Sequence, residues 1–220
     1  LGSQVRWALT YPEIYEVGSS NLGHIILYSI LNALPGQLCD RAYLPAADLA
    51  QRLRERQQPL FAVESRRPLP AFDILGFSLS YELGATNILE MLDLCRVPIR
   101  AADRGDLPLN DPGAPPLIFA GGPTATSNPE PFAAFFDFVA LGDGEELLPE
   151  IGLVVAEAKA AGLTRSQLLI DLAQVPGVYV PSLYAPGEDG VSLRPLHPEL
   201  PPRVLRRVAT PMPHYAMGLV

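Results

Sequence analysis

The chain has 220 residues, 48% of them hydrophobic, and a formal net charge of −8. That length supports one large domain with a small appendage and a core that needs no disulfide or metal staple. The acidic balance disfavours a nucleic-acid surface, no apolar run approaches the roughly 18 residues of a membrane span, and the N-terminus lacks the charged-then-apolar order of a signal peptide.

A cytoplasmic chain is therefore expected. Its two cysteines, Cys39 and Cys95, fall in separate elements without metal-ligand spacing and read as buried thiols in a reducing compartment. The opening Leu1-Gly2-Ser3 is not a natural start and suggests a fragment or a tag scar.

Val5 to Thr10 reads as a first strand, broken by Tyr11-Pro12-Glu13. Apolar residues then recur at helical spacing from Asn21 to Leu34, with Ser19 or Ser20 as the expected cap and Pro35-Gly36 as the stop. Leu38 to Leu44 is a second strand and Asp48 to Gln57 a second helix. A short extended piece, Leu60 to Glu64, precedes the strand Asp73 to Ser80, and an amphipathic helix follows from Glu82 to Cys95. Val97 to Arg100 reads as an edge strand and 101–116 as a surface loop. Leu117 to Ala120 is a buried strand, Pro129 to Phe135 a short helix and Phe136 to Leu141 the last core strand, before a long helix to about Ala161.

Alternating strands and helices require crossovers, so the fold class is α/β: a Rossmann-like (flavodoxin-like) parallel five-stranded sheet with helices on both faces. The strand from Asp73 should be third and central. Residues 4–162 form this domain. Residues 163–220 supply a helix from Thr164 to Leu172, a hairpin of Val178 to Pro181 with Val191 to Leu196, a Pro-rich linker and a final strand from Arg203 to Val208. Many of the 24 prolines lie in this tail.

Ligands of open parallel sheets bind at the carboxyl ends of the strands. The tips there are Tyr11-Pro12-Glu13, Ser78-Leu79-Ser80-Tyr81-Glu82, Gly121-Gly122-Pro123 and Gly142-Asp143-Gly144-Glu145. Glycine lets the backbone approach a large flat or phosphorylated ligand, and hydroxyls and helix N-termini orient it. Each tip also has a purely structural reading. Asp143 and Glu146 have capping-box spacing, Ser80 is a natural N-cap, and Gly121-Gly122 suits a tight turn. Convergence at one sheet edge favours a binding site. No nucleophile elbow, P-loop, zinc-protease motif or dinucleotide fingerprint occurs. His24 falls on a helix, and His197 and His214 lie in the tail; no catalytic or metal-binding set emerges.

These segments resemble the N-terminal part of cobalamin-binding-domain radical SAM proteins, a group of long and often fused bacterial chains. The resemblance runs through Tyr11 to Gly18, Asn21-Leu22-Gly23, Phe72 to Leu79, Tyr81-Glu82-Leu83, Ala120 to Pro123, Asn128 to Pro131, Gly142 to Glu146 and Val175 to Pro181. It implies a cobalamin-binding-like accessory domain that is not catalytically competent alone. The partner would be a downstream radical SAM barrel, holding a 4Fe-4S cluster on a CxxxCxxC triad just past Val220 and cleaving S-adenosylmethionine. The implied cofactor-binding residues are Tyr11, Glu13, Tyr15, Gly18, Ser78, Leu79, Ser80, Tyr81, Gly121, Gly122, Pro123, Gly142, Gly144 and Glu145. One departure stands out. Where related domains carry DxHxxG with a histidine for the cobalt, this chain reads Glu13 to Gly18 with Tyr15 at the histidine position. Cobalamin without a protein axial ligand, and a structural or interaction module that kept the fold but lost the cofactor, both stay open. A stand-alone flavodoxin-like enzyme using a nucleotide or flavin is a third reading.

Overall fold

The computed structural model describes residues 5–190 and 192–210. The expectations for Leu1-Gly2-Ser3, Val191 and His214 lie outside the described residues. In chain order the elements are β1 (Val5–Tyr11), α1 (Tyr15–Gly18), α2 (Leu22–Ala33), β2 (Gln37–Tyr43), α3 (Ala47–Glu55), β3 (Ile74–Ser78), α4 (Gly84–Cys95), β4 (Leu117–Gly121), α5 (Pro123–Ser127), β5 (Phe138–Ala140), α6 (Gly144–Ala161), α7 (Arg165–Leu172), β6 (Val178–Tyr179), β7 (Tyr184–Pro186) and β8 (Leu193–Pro195).

The main sheet runs β2-β1-β3-β4-β5-β6. Its first five strands are parallel in the flavodoxin-like order, with β3 third. The fold is Rossmann-like, but the sheet has six strands rather than five. Val178 and Tyr179 are buried and pair antiparallel with Val139 and Ala140 instead of entering a hairpin. Pro181 stops them, and the separate hairpin forms from β7 and β8.

Strand side chains alternate between two layers. Trp7, Leu9, Ile74, Phe119 and Phe138 pack with α6 and α7 on one face. Ala8, Leu75, Phe77 and Ile118 pack with α3 and α4 on the other. Both cysteines are buried and free.

Four expected features take another form. Val97 to Arg100 is not a strand, because the Arg104 guanidinium takes the carbonyls of Pro98 and Ile99. Leu60 to Glu64 makes one isolated bridge, Phe61 to Pro68. Arg203 to Val208 also makes a single bridge, Arg207 to Gly142, and Arg207 pairs with Glu146 and Glu150. Pro129 to Phe135 contributes a 3-10 helix rather than an α-helix.

Capping differs as well. Asn21, not Ser19 or Ser20, caps α2 by accepting from the His24 amide at 3.0 Å. Ser80 is no cap, since α4 begins after Leu83. The Asp143/Glu146 box does not form, because both carboxylates accept amides of the tail, Ala209 at 2.9 Å and Thr210 at 3.0 Å. Thr164 caps α7 in a full capping box with Gln167.

Candidate functional site

The parallel strands deliver their carboxyl ends to one slot of about 390 Å³ between the sheet and helices α2 and α6. Small residues make this possible. Gly76 passes under the Phe119 ring so closely that an added Cβ would lie 2.5 Å from it. Phe119 in turn stacks on Phe138 at 5.0 Å. Gly144 sits against Leu27, 2.9 Å from where a Cβ would stand. At Gly122 a φ of +108° excludes most side chains, and an added Cβ would lie 2.9 Å from the Leu79 carbonyl oxygen. These glycines are explained by the protein's own packing.

Gly121 is different. A Cβ there would meet nothing nearer than Ala140 at 3.7 Å, an ordinary contact, and its backbone is not in the left-handed region. It lines the slot. Its missing side chain leaves space that packing does not use.

Of the residues expected at the site, Ser78, Ser80, Gly121, Gly122, Pro123, Gly142, Gly144 and Glu145 line the slot. The Ser78 and Ser80 hydroxyls lie 3.2 Å apart. Six do not line it. Leu79 is buried in the opposite layer. Tyr11 is buried, accepting from Asn21 Nδ2 at 3.3 Å with its ring against His24. Glu13 accepts the Tyr81 hydroxyl, and so the pair ties the loop after β1 to the loop after β3. Tyr15 is half exposed and packs edge-on against Tyr43 at 5.1 Å. Gly18 lies beneath Tyr43, whose ring would be 2.7 Å from a Cβ at that position.

Thr10, Asn21, Gly23, His24, Leu27, Gly76, Phe77 and Phe119 also line the slot but are not among the expected cofactor-binding residues. The sequence signal for His24 was its place three residues after Asn21 on a helix that opens at the strand tips. Burial drives its imidazole pKa down from 6.5 to about 4, with a smaller push from Arg41. The unfolded chain therefore binds a proton that the folded chain refuses between those values. Stability rises with pH across that window and is lost as pH falls. The expected loss between pH 7 and pH 5 is about 2 kcal/mol. Urea midpoints of the wild-type chain and His24→Phe at the two pH values check this, with the slope smaller in the variant.

A larger cavity of about 660 Å³ lies near Arg100, Phe136 and Tyr184, at the amino-terminal edge of the sheet. Ligands of such sheets bind at the other edge, so the smaller slot is the candidate. Among the described residues, no group of three or more His, Cys, Asp or Glu could hold a metal, and no helix is long and apolar enough to cross a membrane.

A family described as "Radical SAM proteins, N-terminal" matches residues 23–181. The chain belongs to this family. Its fold is that of the N-terminal cobalamin-binding-like domain expected from the sequence. Two solved structures share the fold. One is the cobalamin-dependent S-adenosylmethionine radical enzyme OxsB with aqua-cobalamin and S-adenosylmethionine bound, at 15% identity and a TM-score of 0.50 over 90% of this chain and 24% of that one. The other is the radical S-adenosylmethionine methyltransferase TsrM from Kitasatospora setae, with cobalamin and a 4Fe-4S cluster bound, at 16% identity and 0.50 over 97% and 30%. The chain thus spans less than a third of either enzyme's length. No curated protein sequence matches it.

Proposed function

We propose that this chain is the accessory N-terminal domain of a radical SAM enzyme and binds cobalamin at the carboxyl edge of its sheet. The observation that carries the reading is Gly121, a bare strand end over a slot that the protein's own side chains leave open. The slot is too small for a whole corrinoid but suits the flat base and ribose of its nucleotide tail. Gly121, Ala140, Phe119 and Leu148 would flank that tail, and Ser78, Ser80 and Glu145 would meet polar atoms at its edge. Tyr15 replaces the cobalt-binding histidine with a phenol, so the reading assigns no protein ligand to the metal. When bound, cobalamin supplies a cobalt that carries an alkyl group or an electron; the chain's own residues hold and orient it.

The same edge supports docking. Ile14, Tyr15, Val17, Leu22, Tyr81 and Leu83 are exposed apolar side chains on the strand-to-helix connections around the slot. Exposed apolar patches mark interaction surfaces, and the downstream radical SAM barrel is the proposed partner. If the edge served docking alone, the chain would be an interaction module without cofactor.

Titration with hydroxocobalamin separates the two. The expected result is a saturable visible-spectrum change with a rise in Tm, reflecting about 2.7 kcal/mol at a ligand concentration of 100 Kd. Neither change would leave only the docking role. A CxxxCxxC triad in the sequence following Val220 is expected in either case.

A further inference from the structure

Two glycines with left-handed backbones, Gly142 at φ +97° and Gly177 at φ +98°, share one neighbour. A Cβ on Gly142 would overlap the Arg207 carbonyl, and one on Gly177 would stand 3.1 Å from the Arg207 Cβ. The bare Gly142 backbone is what admits the tail. Arg207 is held there through both of its backbone groups. Its amide donates to the Leu141 carbonyl at 2.7 Å, and its carbonyl accepts the Asp143 amide at 3.0 Å. Its guanidinium reaches Glu146 at 3.1 Å and Glu150 at 2.6 Å on α6. Two later amides follow, Ala209 onto Asp143 and Thr210 onto Glu146.

This seat is rich in polar bonds and poor in apolar burial. Leu205 and Val208, on either side of Arg207, are 74% and 67% exposed. A segment held by part-exposed polar bonds with few apolar contacts opens without unfolding the rest. The seat is also a wall of the slot. Gly122, Pro123, Gly142 and Asp143 line both the slot and the cleft beside Arg206 and Val208. The Gly142 amide donates to the Thr126 hydroxyl at 3.0 Å, which fixes the same turn from its other side. A ligand pressing on this wall from within the slot meets the backbone that carries the tail.

We propose that residues 203–210 form a releasable latch, linked to the slot through the turn at 141–143. A ligand that contacts Gly142 and Asp143 favours the shape of the turn that also seats Arg207. Filling the slot therefore holds the latch closed, and the closed latch favours the filled slot by the same factor. The link rests on the slot being a cobalamin site, as proposed above. In that reading the latch passes slot occupancy to the connection that leads toward the barrel.

Trypsin reads the latch directly. The Arg206–Arg207 bond is pinned while Arg207 is seated, so cleavage there waits for release. Glu146→Gln combined with Glu150→Gln removes the charge pairing, keeps every tryptic site and changes no residue lining the slot. Cleavage after Arg206, followed by mass spectrometry, should quicken about tenfold in this double variant. Cleavage after Arg104, which is buried and reports global unfolding, should keep its wild-type rate. If the double variant fails to fold, Glu150→Gln alone should quicken release about threefold. Equal rates after Arg206 in wild type and variants would overturn the latch. Saturating hydroxocobalamin should slow cleavage after Arg206 in the wild-type chain about fivefold. A bound corrinoid, seen in its visible spectrum, that leaves this rate unchanged would overturn the link between latch and slot. Absence of any spectral change would instead overturn the cobalamin reading and the link with it, while the variant rates still decide the latch.

Discussion

Gly121→Leu should abolish cobalamin binding, raising Kd at least 100-fold, while leaving the fold and its melting temperature unchanged or slightly improved. Gly121 ends β4 in register with Ser78 on one side and Ala140 on the other. Its amide carbonyl accepts the Leu79 N–H at 2.8 Å, a bond that a side chain does not disturb. Strand alternation puts its Cβ direction on the same face as Phe119, toward α2 and α6. A leucine there grows into the slot, because the nearest protein atoms leave ordinary contact distances around a Cβ. Replacing a strand glycine also reduces the freedom of the unfolded chain. The fold is thus spared, and the ligand loses the space its tail would occupy. A 100-fold loss corresponds to about 2.7 kcal/mol. Gly121→Ala should fall between. If Gly121→Leu binds hydroxocobalamin as tightly as wild type, the slot does not hold the tail. Gly144→Leu would be a poor substitute, since a Cβ there already presses on the Leu27 and Leu148 side chains, so that any loss of binding would mix repacking with filling of the slot.

The contrast between these glycines also shows what could be read from sequence. Continuous apolar runs and helical periods placed β1 to β5 and α2, α3, α4 and α6 close to their observed limits, because the central strands are buried on both faces and the helices on one. The strand tips followed from the rule that small residues end strands facing a ligand crevice. Which glycine serves packing and which leaves space could not be read, because the answer depends on Phe119 and Leu27, distant in sequence. His24 was hidden for the same reason. Its burial comes from Tyr11 and Tyr43, on two adjacent strands. In the C-terminal part single polar side chains overrule propensity. Asp143 and Glu146 capture tail amides instead of capping α6. Likewise, the segment after α4 looked like a strand followed by a polar loop, yet Arg104 within that loop is buried.

Asp137→Ala should cost about 3–5 kcal/mol of stability, the range for a buried ion cluster deprived of one member. Asp137 precedes β5 and is buried between two arginines. Arg104 Nη1 donates to its Oδ2 at 2.9 Å, and Arg165 Nη1 lies 2.9 Å from its Oδ1. The Ile118 amide also donates to Oδ2 at 2.7 Å, at the start of β4. Arg104 satisfies its remaining donors on the carbonyls of Pro98, Ile99 and Phe135, and burial lowers its pKa. Arg165 reaches the carbonyls of Pro115 and Pro116. Removing the carboxylate leaves two buried guanidinium groups facing each other with no countercharge. Because both are buried, added salt should screen little of the penalty. Asp137→Asn keeps the acceptor oxygen but not the charge and should lose less than the alanine variant. Urea unfolding checks the order, with midpoints falling from wild type through Asn to Ala. The cluster joins the loop before β4, the starts of β4 and β5, and α7, all at the amino edge of the sheet. The slot lies at the carboxyl edge. Asp137→Ala should therefore lower stability while the protein that remains folded binds hydroxocobalamin with wild-type affinity, the reverse of Gly121→Leu. A matching loss of affinity in Asp137→Ala would mean that the two edges are coupled through the strands.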